Sequence, residues 1–461
     1  MKLAEIVALA VVALLFVFWP VPHTISVRDT LLLLGAALFG YLMYRTFRHD
    51  SYARLWKLRV PIALFFSLTA WMFFVAVFVS NETRWSLDEI RGQWLKAALV
   101  AVVGGMAAVI LEREPLKVRV LTVLCLGVAL HVLYVDIVGL VGFFKTGTTS
   151  FRIEGLTDGP DKSNYLANYL VVFVLTEVIV RATYQRRVLP LGSGSLFLLV
   201  LIALGGVYFS SVRNGLMELT FMSTLASALF LFLNRKRWRK PAVAAITISF
   251  LLVPLVQGFL NYKSDGRWNV ALETIPIAWD TDKHKAWLND QKYPFPTLAD
   301  GRPVDTSTYL RVAWIKEGVR TVLEHPLGVG FGRNAFGHAR LQKYGESGRG
   351  HSHSGIIDLA IGVGIPGALL WMAFLASLLF FAYRGLVVSQ HYHALLLFFL
   401  TATFSFRMFV DSVVRDHVLQ MFMFLVGLSA ATIALSSPTK SQKRSLPMSR
   451  PVSLKKARVS L

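Results

Sequence analysis

A single cysteine, Cys125, in 461 residues leaves no intrachain disulfide framework and no cysteine-built metal site. Charge is also scarce: Asp, Glu, Lys and Arg make up only 16% of the chain. Acidic residues are the rarer sign, 27 against 48 basic, for a formal charge of +21. The chain has no P-loop, no H-E-x-x-H pair and no G-x-S-x-G elbow, so nucleotide hydrolysis and the common hydrolase chemistries lack support. What it has instead is apolar length. Hydrophobic residues make up 55%, and the mean hydropathy is +0.55. They fall in runs of about 20, the length that crosses a bilayer as a helix.

This predicts an all-α polytopic membrane protein with about twelve spans, near 3–20, 28–47, 59–80, 95–111, 119–140, 164–184, 193–210, 214–233, 241–262, 355–383, 391–410 and 417–436. Residues 1–20 read as a retained first span, because the apolar stretch runs long and no small-x-small cleavage site follows. The excess positive charge lies in short clusters between spans and in the tail, which points to membrane topology and away from nucleic acid. One set of loops, with the tail and Lys2, holds about 25 basic residues against about 10 in the short loops opposite. By the positive-inside rule both termini are cytoplasmic.

Four parts follow: spans one to nine over 1–262, a long outer loop over 263–354, spans ten to twelve over 355–436, and a basic cytoplasmic tail over 437–461. The tail carries seven Lys/Arg and no acid, which suits contact with anionic lipid. The long loop mixes 13 basic with 10 acidic residues. Loops of that length are usually functional. Within it, TYLRVAWIKEGVRTVLEH (308–325) spaces Leu310, Trp314, Ile315, Val319, Val322 and Leu323 as one apolar face of a helix, expected to lie on the membrane or on the other spans.

The chemistry concentrates at the outer rim. GRGHSHSG places His351 and His353 in a glycine-bracketed turn before the tenth span. Arg152, Asp161, Ser163 and Asn164 stand at the start of the sixth. Arg213 occupies a very short turn, Arg311 precedes Trp314, and Arg407 lies near the outer end of the eleventh. Arginines there run against the positive-inside bias, and a guanidinium matches phosphate oxygens with a planar fork of donors. The plain alternative is that each arginine reaches lipid phosphate or pairs with a nearby acid. A histidine titrates near neutrality and suits a general base for a sugar hydroxyl, or it merely caps a helix. Residue chemistry alone does not choose between His351 and His353. Asp358 follows His353 by five positions, about 140° around a regular helix, so a dyad is not expected. WDTDKHK (279–285) holds a D-x-D, but its flanking lysines disfavour a cation. No metal and no cofactor are expected.

At these residues the chain resembles the O-antigen ligase and O-antigen polymerase superfamily of bacterial envelope enzymes. His353 and Ser354, followed by Gly364 and Gly367, fit the ligases' histidine-to-G-x-x-G spacing, which selects His353 over His351. RVAWIKEGVRTVLEHPLGVGFGRNAF (311–336) is similar to the R-x-x-W segment ending in PLGVGxGxF. SSVRNGL resembles the S-x-S-R-x-x-L turn, with Val212 where serine is usual. FRIEGLTDGPDKSNYLA resembles the R-x-x-G…PN-x-x-A segment, with DKSN in place of PN. Ala368 and Leu369 replace the threonines expected of a ligase after G-x-x-G.

The resemblance covers about residues 150–370. It implies a GT-C-like, inverting, metal-independent glycosyltransferase working at the periplasmic side of the bacterial inner membrane. The donor would be O-antigen on undecaprenyl diphosphate and the acceptor lipid A–core. Arg152, Arg213 and Arg311 would hold the diphosphate, and His353 would be the catalytic base. His351, Asn164, Trp314 and Arg407 would support them. Two related activities share the donor: O-antigen polymerase and protein O-oligosaccharyltransferase. A transporter for a lipid-linked sugar is a separate class, but it calls for ionisable residues near mid-bilayer, where Glu177 and Glu218 are few. A non-catalytic scaffold would not need a histidine ringed by arginines.

Overall fold

The computed structural model describes residues 3–46, 49–110, 114–148, 152–237, 240–264, 268–346, 350–389 and 391–436. Lys2 and the tail 437–461 lie outside them. Among the described residues the chain is helical, with one isolated bridge between Thr297 and Pro303 and no strand.

The bundle begins with α1 (Leu3–Phe18), α2 (Ile25–Thr46), the short α3 (His49–Leu55), α4 (Arg59–Phe78) and α5 (Thr83–Glu89). It continues through α6 (Lys96–Ile110), α7 (Glu114–Thr146), α8 (Pro160–Tyr184), α9 (Ser193–Ser210), α10 (Arg213–Leu233) and α11 (Pro241–Ser264). Three helices then lie in the long loop: α12 (Trp268–Trp279), α13 (Thr306–Glu324) and α14 (Ala335–Tyr344). The chain returns through α15 (Gly355–Ser389), α16 (Tyr392–Val410) and α17 (Asp416–Ser436).

Eleven helices among the described residues are long and apolar enough to cross a membrane, and the protein is a multi-pass membrane protein. The expected first span differs. α1 has 16 residues, about 24 Å of helix against a hydrocarbon core of about 30 Å. It nevertheless packs inward through Val12, Leu15 and Phe16, all buried. α17 is the most enclosed span and crosses α6 at glycines. A Cβ on Gly104 would stand 2.3 Å from the Phe424 carbonyl, and one on Gly427 would stand 2.0 Å from that of Ala101. Such close crossings are how helices gain van der Waals contact where lipid removes the hydrophobic drive.

The long loop folds as a unit with its own core of Trp287, Tyr309, Trp314 and Phe336, docked on α15 through Ile361. Its central helix, α13, lies where the apolar spacing puts it, and Asp305 caps it by accepting from Thr308 N at 2.8 Å. The buried face differs from the expected one. Tyr309, Ala313, Trp314, Glu317, Gly318 and Thr321 face inward, while Val319 and Leu323 are 46% and 70% exposed. Gly318 lies on this buried face, where its missing side chain leaves room for Ile357 and Ser352.

Candidate active site

The G-x-x-G segment breaks α15. Gly364 has φ 71° and ψ 178°, outside the helical region, and Pro366 follows two residues later. The break releases carbonyls from the helical ladder, and each finds a partner. Val329 N donates to Ile361 O at 2.9 Å, Gly330 N to Gly362 O at 3.0 Å, and Trp71 Nε1 to Val363 O at 2.7 Å. In return Ile365 N donates to Pro326 O at 2.9 Å. The PLGVG stretch therefore lies along the broken turn and ties the long loop to a span.

One helical stretch earlier, the HSHS turn is held from several directions. Ser352 N donates to Asp358 Oδ1 at 2.7 Å, and Ser412 Oγ donates to the other oxygen of the same carboxylate. Ser354 Oγ donates to Met408 O at 3.3 Å, and Gly355 N to Asp411 O at 2.9 Å. Asp358 thus acts on the turn's backbone. Clamped in this way, His353 adopts a left-handed φ of 58°. Its ring stacks on Trp314 with centroids 5.4 Å apart and 13° between planes, and the His351 ring lies 4.4 Å away. Trp314 is fixed by its own Nε1, which donates to Trp287 O at 2.9 Å.

These groups border a cavity of about 770 Å³ whose wall includes Arg152, Asp161, Asp305, Arg311, Trp314 and His353. Arg152 is exposed at its rim, with φ 62°. Arg311 stands deeper. Its guanidinium reaches Asn214 Oδ1 at 3.5 Å and forms no ion pair among the described residues. Burial lowers its pKa, against the opposing pull of Asp161 and Asp411. A guanidinium held this way has acids nearby but lacks the direct ion pair that buried cations ordinarily have. Arg213 approaches from behind the wall. It donates to Asp305 at 2.8 Å and to Thr308 at 3.3 Å, and lies over the Trp268 ring, so it ties the first turn of α10 to that of α13. Burial alone would raise the Asp305 carboxyl, but hydrogen bonds from Thr308 and Arg213 outweigh it and hold the group below the usual carboxylate range.

Asn164 and Arg407 lie outside the cavity lining, in a buried polar network. Arg407 is fully buried and donates to Glu218 at 2.5 Å, Asp411 at 3.1 Å and Asn164 at 3.3 Å. Asn164 in turn donates to Ser210 at 2.9 Å. The D-x-D carboxylates are both engaged: Asp282 pairs with Arg320 at 3.2 Å, and Asp280 accepts from Lys283 N at 3.3 Å.

The O-antigen ligase family model matches residues 197–372. That match supports placing the chain in the O-antigen ligase and polymerase superfamily. No curated protein gives a match. The matched segment contains Arg213, Arg311, Trp314, His351, His353 and the G-x-x-G break, while Arg152, Asn164 and Arg407 lie outside it.

Sequence reasoning missed one residue of this site. Asp411 caps α16. Burial alone would raise its carboxyl, but Arg407, His353 and Arg311, in that order, outweigh it and hold it below the usual range. Asp411 thus lies within electrostatic reach of the histidine, while Asp358 is engaged by the turn's backbone. A faint signal existed: it lies one helical turn after Arg407, the spacing of an ion pair.

Proposed function

We propose that the protein is an inverting, metal-independent glycosyltransferase that moves O-antigen polysaccharide from undecaprenyl diphosphate to lipid A–core, completing lipopolysaccharide. On this reading the protein is a GT-C-like enzyme in the bacterial inner membrane, with both termini cytoplasmic and the cavity on the periplasmic face. The observation that carries it is the pairing, on one cavity, of Arg311, a guanidinium without an ion pair among the described residues, and His353.

A diphosphate supplies the direct ion pair that Arg311 lacks, with Arg152 at the rim and Arg213 behind the wall adding to the field. The acceptor hydroxyl attacks the anomeric carbon as His353 takes its proton. The new C–O bond forms while the bond to the diphosphate oxygen breaks, and that electron pair leaves with the diphosphate. Trp314 fixes the plane of the base, and Asp411 stabilises the imidazolium that forms. The docked loop aligns two membrane-held substrates, a large share of the catalysis. No nucleotide energy is required, because the diphosphate is itself the leaving group.

The test is reconstitution with purified protein, donor, lipid A–core and EDTA. Ligated lipopolysaccharide is expected. Elongated donor without ligation would instead make the protein an O-antigen polymerase. Product that requires added divalent metal would overturn the metal-free mechanism.

A further inference from the structure

Two arginines at the loop-bearing end of the bundle have no part in the reaction above. Arg415 precedes α17 and Arg28 lies in the first turn of α2. Arg415 Nη2 stands 3.5 Å from His351 Nε2, and Arg28 Nη1 donates to Trp19 O at 2.9 Å. Neither forms an ion pair among the described residues. The neighbouring cations, by contrast, are neutralised: Lys162 pairs with Asp158 at 2.5 Å, and Arg333 with Glu89 at 3.2 Å and Asp416 at 3.4 Å. Arg28 lies within the electrostatic reach of Asp29, Asp416 and Asp158, and the Trp19 ring beneath it packs edge-on against Phe424 of α17, so it stands on the α17 side of the bundle. Arg415 and Arg333 also border a small recess behind the HSHS turn, beside Gln93, which accepts from Asp416 N.

Their position relative to the base gives this basic crescent its meaning. From the cavity outward the order is Trp314, His353, His351, Arg415, with each ring or guanidinium in contact with the next. The donor's diphosphate would lie on the Trp314 side. An inverting displacement brings the nucleophile to the face of the anomeric carbon opposite the leaving group. The acceptor must therefore approach from the His351 side, where the arginines without a direct ion pair stand.

We propose that Arg415 and Arg28 form an acceptor-docking site that binds a phosphate group carried by the acceptor lipid. The proposal rests on the glycosyltransferase reading and adds a second anion site to it. A guanidinium at the membrane–water boundary recognises a phosphate oxygen by charge-assisted hydrogen bonds. Phosphate at that depth has two sources, the acceptor and the surrounding phospholipid.

The experiment measures equilibrium binding of lipid A–core to the full-length protein in nanodiscs, with no donor present. It uses phosphatidylcholine discs with and without phosphatidylglycerol. Wild type is compared with Arg415→Gln, Arg28→Gln and the charge-preserving Arg415→Lys, using lipid A–core with its phosphates and after their chemical removal. Each Gln variant is expected to weaken binding of the phosphorylated acceptor about tenfold, the size of a lost charge-assisted bond. Arg415→Lys should retain most of it. The dephosphorylated acceptor should bind wild type as weakly as the phosphorylated one binds the Gln variants, and should not respond to the substitutions. Equal binding by wild type and variants would overturn the proposal, as would equal losses for both acceptors, which mark a structural role. An effect that appears only with phosphatidylglycerol assigns the arginines to bilayer phosphate and also overturns it. Failure of the glycosyltransferase reading would show separately, as absent transfer by a wild-type protein that binds both lipids.

Discussion

His353 carries a left-handed backbone, which costs a residue with a Cβ about 1–2 kcal/mol, and the clamps from Asp358, Ser412 and Met408 hold it there. A position maintained against strain is one whose ring direction matters. The His353→Ala variant is expected to lose on the order of 10²–10⁴ in transfer rate, the usual worth of a general base, while His351→Ala keeps the chemical step. Comparison of single-turnover rates checks this. Asp411→Asn makes a sharper demand. Its carboxylate favours the imidazolium, so its removal should lower the maximal rate about 10–100-fold and move the acidic limb of the pH–rate profile to lower pH. A purely structural aspartate would leave that limb in place. An outer-rim arginine and a glycine-bracketed HSHS turn drew attention to Arg311 and the two histidines in the sequence, and the family resemblance singled out His353. Asp411 was not legible there, because only folding brings the end of α16 against the HSHS turn.

Along each element, glycines decide what the hydrophobic pattern cannot. The G-x-x-G spacing marked a motif but not its purpose, which is to break α15 so that the PLGVG backbone can bond to the freed carbonyls. At Gly364 a Cβ would stand 2.4 Å from the Leu327 carbonyl carbon in a left-handed conformation. Gly364→Ala should therefore cost at least about 1–2 kcal/mol and loosen the long loop. The measurement is limited proteolysis within 280–300, where faster cleavage is expected with the spans intact. α13 teaches the same lesson. Its extent followed from periodicity, but its buried face includes Gly318, close against Ile357 and Ser352, while Val319 and Leu323 are exposed.

For the whole molecule, span lengths and composition sufficed to read a multi-pass helical bundle, because lipid allows few alternatives. Docking of the long loop was not readable, since it depends on pairs such as Arg213–Asp305 between residues 92 apart. The Asp305 carboxyl is depressed in the folded protein, so its stabilisation is complete above the unfolded value of about 4 and is lost as pH falls through the lower folded value. Loop protection from protease should thus be unchanged from pH 7 to 5 and should fail only below about pH 4. Earlier loss would show that another group controls docking.

The central claim is a division of labour on one cavity, in which Arg311 holds the diphosphate and His353 performs the chemistry. The most direct measurement is equilibrium binding of undecaprenyl diphosphate to wild type, Arg311→Gln and His353→Ala in nanodiscs, followed by transfer from the same samples. Arg311→Gln should bind about tenfold or more weakly, and His353→Ala should bind as wild type does yet transfer almost nothing. Normal binding by Arg311→Gln, or an equal loss of binding by His353→Ala, would contradict the account.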